Sequence, residues 1–131
     1  MIDLTRHHLF DGAMGTMLQS MGLEAGQCPE LLNLSQPETV TAVHVAYAAA
    51  GADILTANTF GASRRKLGQD PAPCIAAGIT LARRAAENCG HTAYVALDVG
   101  PLGALLAPMG ELSFEEANNL FAEIMDAGAA A

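Results

Sequence analysis

The chain has 131 residues, 51% hydrophobic and 15% charged, with 6 Lys and Arg against 14 Asp and Glu for a formal charge of −8. One globular domain is the expectation at this length, and so acidic a balance argues against a nucleic-acid partner. No apolar run reaches the roughly 18 residues of a membrane span, and the opening MIDLTRHHLFDG lacks the basic start and apolar core of an export signal, so no membrane contact and a cytoplasmic location are expected.

His7 to Asp11 reads as a short strand halted by Gly12 and Gly15, with Thr16 to Met21 as a short helix closed by Gly22. Met14, Met17 and Met21 share one side of that turn and read as core filler. Leu23 to Leu34 has no period and is expected to be a connecting loop. Ser35-Gln-Pro-Glu38 fits a capping box, and the helix that follows carries Val40, Val43, Tyr47 and Ala50 at helical spacing before Gly51.

Asp53 to Phe60 is the next expected strand, ended by Gly61. A helix from about Pro73 to Asn88 places Ile75, Ile79, Ala82 and Ala86 on one face. Tyr94 to Val99 is a third strand, stopped by Gly100-Pro101. Ser113-Phe-Glu-Glu116 is a second capping box, opening a helix whose buried stripe is Ala117, Leu120, Phe121 and Ile124.

Strands separated by helices of this length pair in parallel, which gives an α/β fold. Consecutive apolar residues in ILTA and YVAL suit strands covered on both faces. The end Asp126-Ala-Gly-Ala-Ala-Ala131 resembles the helix end before Asp53, but no strand follows it. About three β/α units are therefore expected, broken off before a fourth strand, with open sheet edges through which the chain can self-associate.

Cys28, Cys74 and Cys89 are scattered, with no C-x-x-C pair, and read as reduced thiols rather than a disulfide or zinc framework. His7, His8, His44 and His91 have no ligand spacing and read as surface or packed histidines. Arg64-Arg-Lys66 is the one basic cluster and reads as solvating the start of the helix layer. A G-x-G-x-x-G fingerprint is absent, which argues against a nucleotide site.

At DGAMGTMLQ (11–19), LNLSQPETV (32–40), AGADILTANTFGA (50–62) and LDVGPLGALLAPMGELSFEEA (97–117) the chain resembles the homocysteine S-methyltransferase family, with the homocysteine-binding region of its cobalamin-dependent branch as the nearest likeness. The motifs stand in family order and run from near residue 8 to the C-terminus. The resemblance implies the first part of a (β/α)8 TIM barrel spanning 1–131, with homocysteine held at the C-terminal ends of the strands. It also implies a zinc ion that activates the thiol for methyl transfer, on cysteines that follow later strands and do not match Cys28, Cys74 or Cys89. Cobalamin, or another methyl donor, would enter through further domains.

In such a barrel the ligand sits where strands hand over to helices. Asp11, Asn58, Thr59 and Asp98 fall at those ends, and the Gly12-Ala13-Met14-Gly15-Thr16 turn can aim backbone N–H groups at a carboxylate. Substrate contact is thus expected from Asp11 (toward the ammonium), Gly12, Ala13, Gly15, Thr16, Asn58, Thr59 and Asp98, with no catalytic or metal-ligating residue assigned. The duller roles remain open: a turn cap for Asp11, tight-turn glycines, strand-end hydrogen bonds for Asn58 and Thr59, a loop-fixing carboxylate for Asp98. Two readings follow, a substrate-holding portion of a methyltransferase that is inactive alone, and a non-catalytic half-barrel completed by association.

Overall fold

The computed structural model describes residues 2–3 and 5–131. In chain order the elements are α1 (Met14–Ser20), a 3-10 turn (Pro29–Leu31), α2 (Leu32–Ser35), α3 (Pro37–Ala49), β1 (Ile54–Thr56), α4 (Arg64–Leu67), α5 (Ala72–Glu87), β2 (Tyr94–Ala96) and α6 (Phe114–Ala130). β1 and β2 pair in parallel with Ile54 opposite Tyr94, and Phe10 makes a parallel bridge to Ile54. The lateral order is therefore the first extended segment, β1, β2, with helices between, an α/β arrangement as the spacing requires.

The expected strands shrink to their middles. Of residues 7–11 only Phe10 forms a bridge, because the Leu9 N–H turns to the Asp53 carboxylate at 2.9 Å. Residues 57–60 and 97–99 lie outside the strands, although the Ala57 N–H still donates to Ala96 O at 2.9 Å. Ile54 and Leu55 are buried in succession, so β1 is covered on both faces, whereas Tyr94, Val95 and Ala96 are all half-buried because β2 has a neighbouring strand on one side only.

α5 is the hub. Its Ile75, Ile79 and Ala82 join Leu102, Leu112, Ala117 and Ile124 in one cluster, while Leu81 packs with Leu18, Leu32, Val40 and Val43 in another. A third cluster joins Ala48, Ala52, Leu55 and Ala85 beneath β1. Within α6 the buried stripe is narrower than expected: Ala117 and Ile124 are buried, Leu120 is half-buried and Phe121 is exposed. α5 is the helix that packs on α6, so a narrow seam suffices.

The Ser113–Glu116 capping box forms as read, with both reciprocal bonds. The one expected at Ser35 does not. Ser35 closes α2, its hydroxyl donates back to Leu31 O at 3.1 Å, and α3 starts on Pro37 with Gln36 as an N-cap that makes no side-chain bond. Proline at the first helical position needs no capping partner for the N–H it lacks. Residues 23–34, expected to be loop, contain the 3-10 turn and most of α2. α4 was not expected, although Ser63 caps it and Gly68 (φ +68) ends it. Met21 is exposed; Met14 and Met17 alone of the three pack against the core.

Candidate functional site

Asp11 follows Phe10 at the point where the first extended segment leaves β1. Its N–H donates to Ile54 O at 2.9 Å. Its carboxylate accepts twice from one residue, Oδ2 from the Thr56 N–H at 2.9 Å and Oδ1 from the Thr56 hydroxyl at 2.6 Å. Gly12 follows in close contact with α3: a Cβ there would sit 2.7 Å from the Tyr47 hydroxyl oxygen and 2.9 Å from its Cε1. The Tyr47 hydroxyl in turn donates to Ala13 O at 3.4 Å. Ala13 is the N-cap of α1 and supplies no side-chain acceptor, so the first-turn N–H groups are not capped by it.

The segment after β1 is held from three sides. Asn58, buried, donates through Nδ2 to Pro29 O at 2.8 Å and to Asn33 Oδ1 at 2.9 Å, while Asn33 Nδ2 returns a bond to Asn58 O at 2.8 Å. The Thr59 hydroxyl donates to Asp98 O at 2.8 Å and accepts from the Asp98 N–H at 3.1 Å, which ties the ends of β1 and β2 together. Glu30 Oε1 accepts the Gly61 N–H at 2.5 Å, and its Oε2 accepts the Cys28 thiol at 2.8 Å. Such dense pairing is what buried polar groups demand.

These segments enclose a cleft of about 390 Å³, lined by the 12–15 turn, Pro29, Glu30, residues 56–60 and Asp98. Six expected residues meet there: Gly12, Ala13, Gly15, Asn58, Thr59 and Asp98. Asp11 stands behind the lining, bound to Thr56, and Thr16 is exposed on α1 outside it. Glu30 was not anticipated; its partner Gly61 lies 31 residues away, and no local pattern marks the pair.

The lining carries two carboxylates and no cationic side chain. Burial raises the Asp98 carboxyl above its ordinary value, and the charges of Asp11 and Glu30 push it further the same way. Burial also raises Asp11, against the lowering effect of its bonds from Thr56. At the rim, Lys66 Nζ lies 5.4 Å from the centre of the Phe60 ring. A larger cleft of about 660 Å³ opens between α5, β2 and α6, lined by Ile79, Arg83, Glu87, Val95, Leu97 and Gly128 among others. It contains none of the expected site residues.

Cys28, Cys74 and Cys89 are free thiols. Cys28 is pushed up to about 11 by burial and by Glu30, and Cys74 to about 11, chiefly by burial. Each thiol donates a hydrogen bond, Cys28 to Glu30, Cys74 to Glu30 O and Cys89 to Ala86 O. Among the described residues no group of three His, Cys, Asp or Glu is placed to hold a metal. His8 bonds Asp3 O, His91 bonds Ala52 O, and His44 is fully buried in α3. Arg64 and Arg65 pair with Glu123 and Glu111 on the outer surface. No helix among the described residues is long and apolar enough to cross a membrane.

The chain is 35% identical over 139 aligned residues to a methionine synthase of Mycobacterium leprae, covering 91% of the chain and 11% of that protein, and matches a methionine synthase of Mycobacterium tuberculosis to the same extent. The chain therefore spans about a tenth of the length of these relatives. The metallated form of the homocysteine methyltransferase MmuM from Escherichia coli superposes with a TM-score of 0.77 at 27% identity, over 93% of this chain and 50% of that one. Its oxidized form gives 0.77 at 28% identity, over 94% and 49%. The model of the homocysteine S-methyltransferase family matches residues 8–131, and the chain belongs to that family.

Proposed function

We propose that this chain is the leading part of a homocysteine-binding (β/α)8 barrel and holds the amino-acid end of homocysteine in the cleft between the 12–15 turn, the 58–61 segment and Asp98. The observation that carries the reading is the meeting of Gly12, Ala13, Gly15, Asn58, Thr59 and Asp98 around one cleft at the C-terminal ends of parallel strands, where barrels of this type bind ligands. A zwitterion needs N–H donors for its carboxylate and an acidic group for its ammonium. The 12–15 backbone offers the first and Asp98 the second.

In this reading Asp98 meets the ammonium directly, and Asp11 acts from behind by fixing Thr56; Thr16 stands outside the cleft. In the longer relatives a zinc ion would make the substrate sulfur nucleophilic. Its ligands would be residues other than Cys28, Cys74 and Cys89, and the methyl donor, methylcobalamin or another carrier, would bind elsewhere. The reading makes the complete protein a methyltransferase and leaves the chain alone without turnover.

Titration of L-homocysteine into the 131-residue chain, followed by amide NMR, tests this. Saturable shifts at Gly12, Gly15, Asn58, Thr59 and Asp98 are expected. Absence of binding, or shifts confined to the cleft between α5 and α6, overturns the reading, as does robust methyl transfer by the chain alone.

A second reading, self-association, is favoured by one observation: Leu9 is 67% and Phe10 61% exposed beside the sheet. Leu9 and Asp11 spend their backbone groups on β1, so strand alternation turns those of Phe10 to the opposite edge. Light scattering on the purified chain decides it, a defined dimer supporting association and a monomer opposing it.

A further inference from the structure

We propose that Glu30 is a positioning residue of this cleft, whose buried carboxylate anchors the Asn58–Gly61 segment in the shape that receives the ligand; the proposal rests on the homocysteine reading above. Glu30 is 4% exposed. Its two oxygens divide their work, Oε1 on the Gly61 N–H and Oε2 on the Cys28 thiol. A Cβ at Gly61 would lie 2.8 Å from Oε1 and 3.0 Å from the carboxyl carbon, so a side chain there would force this carboxylate to move. The main chain on either side reinforces the contact: Pro29 O accepts from Asn58, and Glu30 O accepts from the Cys74 thiol.

A buried carboxylate is costly unless it is well paired. Fold alone gives little reason for an acid here. A loop-shaping role gives one: a charge-assisted bond to a backbone N–H is short, directional and roughly twice as strong as a neutral one. Glu30 also faces the ligand space and acts on Asp98, whose carboxyl it pushes upward together with burial and Asp11. Removing the charge therefore has a signature at Asp98, read beside the geometric one at Gly61.

The test compares the wild-type chain with Glu30→Ala and Glu30→Gln. Three quantities are read: the Gly61 amide signal and its exchange rate, the titration of the Asp98 carboxyl carbon, and the affinity for L-homocysteine. Glu30→Ala is expected to move the Gly61 amide upfield, speed its exchange and weaken homocysteine about tenfold or more. Glu30→Gln retains an oxygen for Gly61 and is expected to restore affinity to within about threefold, while Asp98 titrates lower in both variants. Wild-type affinity in Glu30→Ala, an unmoved Gly61 signal, or no rescue by Glu30→Gln overturns the proposal. Should Glu30→Ala fail to fold, Asp98 titrating in Glu30→Gln as in the wild type overturns it. If the wild-type chain binds no homocysteine, the functional reading falls, and the anchoring role stands or falls on the Gly61 and Asp98 signals alone.

Discussion

Asp11 grips Thr56 with both carboxylate oxygens, one on the backbone N–H at 2.9 Å and one on the hydroxyl at 2.6 Å. The first residue past the bridge at Phe10 thereby closes over the last residue of β1. Asp11→Ala leaves both Thr56 donors without their acceptor in a half-buried place. The expected cost is about 1.5–3 kcal/mol, read from urea unfolding. A loss under about 0.5 kcal/mol would mean that water replaces the carboxylate and that Asp11 is not structural.

His44 contributes to the acid side of the stability profile. It is fully buried, neither ring nitrogen has a hydrogen-bond partner among the described residues, and burial lowers it from 6.5 to about 4. Protons bind the unfolded chain first, so this contribution is complete above the unfolded value and drains away as pH falls from 6.5 toward about 4. The full span is on the order of 3 kcal/mol. Asp11 and Asp98 act with the opposite sign: raised in the fold, they favour folding at low pH and lose that contribution as pH rises through their folded values. Urea melts at neutral pH and near pH ~5 should show the loss, and His44→Leu should flatten it. A slope unchanged in His44→Leu would assign the acid sensitivity elsewhere.

Gly78 lies inside α5, where replacing glycine by alanine ordinarily stabilises a helix by roughly 1 kcal/mol. Here the sign should reverse. A Cβ at Gly78 would sit 2.7 Å from Asn33 Nδ2, 3.2 Å from Thr59 Cγ2 and 3.3 Å from Asn58 O. Gly78→Ala should therefore destabilise by about 1–3 kcal/mol and disturb the Asn33–Asn58 pair. Thermal melting with amide shifts at Asn58 checks both, and a more stable variant would refute the close packing.

Asp98→Asn separates stability from binding. Removing a carboxylate that Asp11 and Glu30 repel should leave the fold as stable or slightly more so, by less than about 1 kcal/mol at this partly exposed position. Homocysteine affinity should fall about tenfold, with less effect on a deaminated analogue of the same length. Equal losses for both ligands would show that Asp98 does not read the ammonium.

The parts of this molecule legible in sequence are the local ones. The Ser113–Glu116 box was visible because both partners lie within one turn, and Gly51 and Gly90 mark helix ends by the positive φ they adopt. The same pattern misled at Ser35, since a proline at the next helix start makes the cap unnecessary and frees the serine to end the preceding turn. The strand-end residues Asn58, Thr59 and Asp98 were found by place in the chain order. Glu30 was not, because a carboxylate bound to a backbone N–H far along the chain leaves no spacing to read. His44 was seen as a histidine on a helix, but its complete burial depends on how α3 is covered by other elements.

The contact between Gly12 and Tyr47 has an evolutionary consequence. With the phenol ring filling the space a methyl group at residue 12 would need, neither position is free to drift alone. Removing the hydroxyl does not relieve the crowding, since ring carbons Cε1 and Cζ lie within the same reach, so alanine at 12 becomes tolerable only after residue 47 has lost its ring. Homologues should accordingly show the two sites changing in concert, small against large, although 34 residues separate the tyrosine from the carbonyl it bonds.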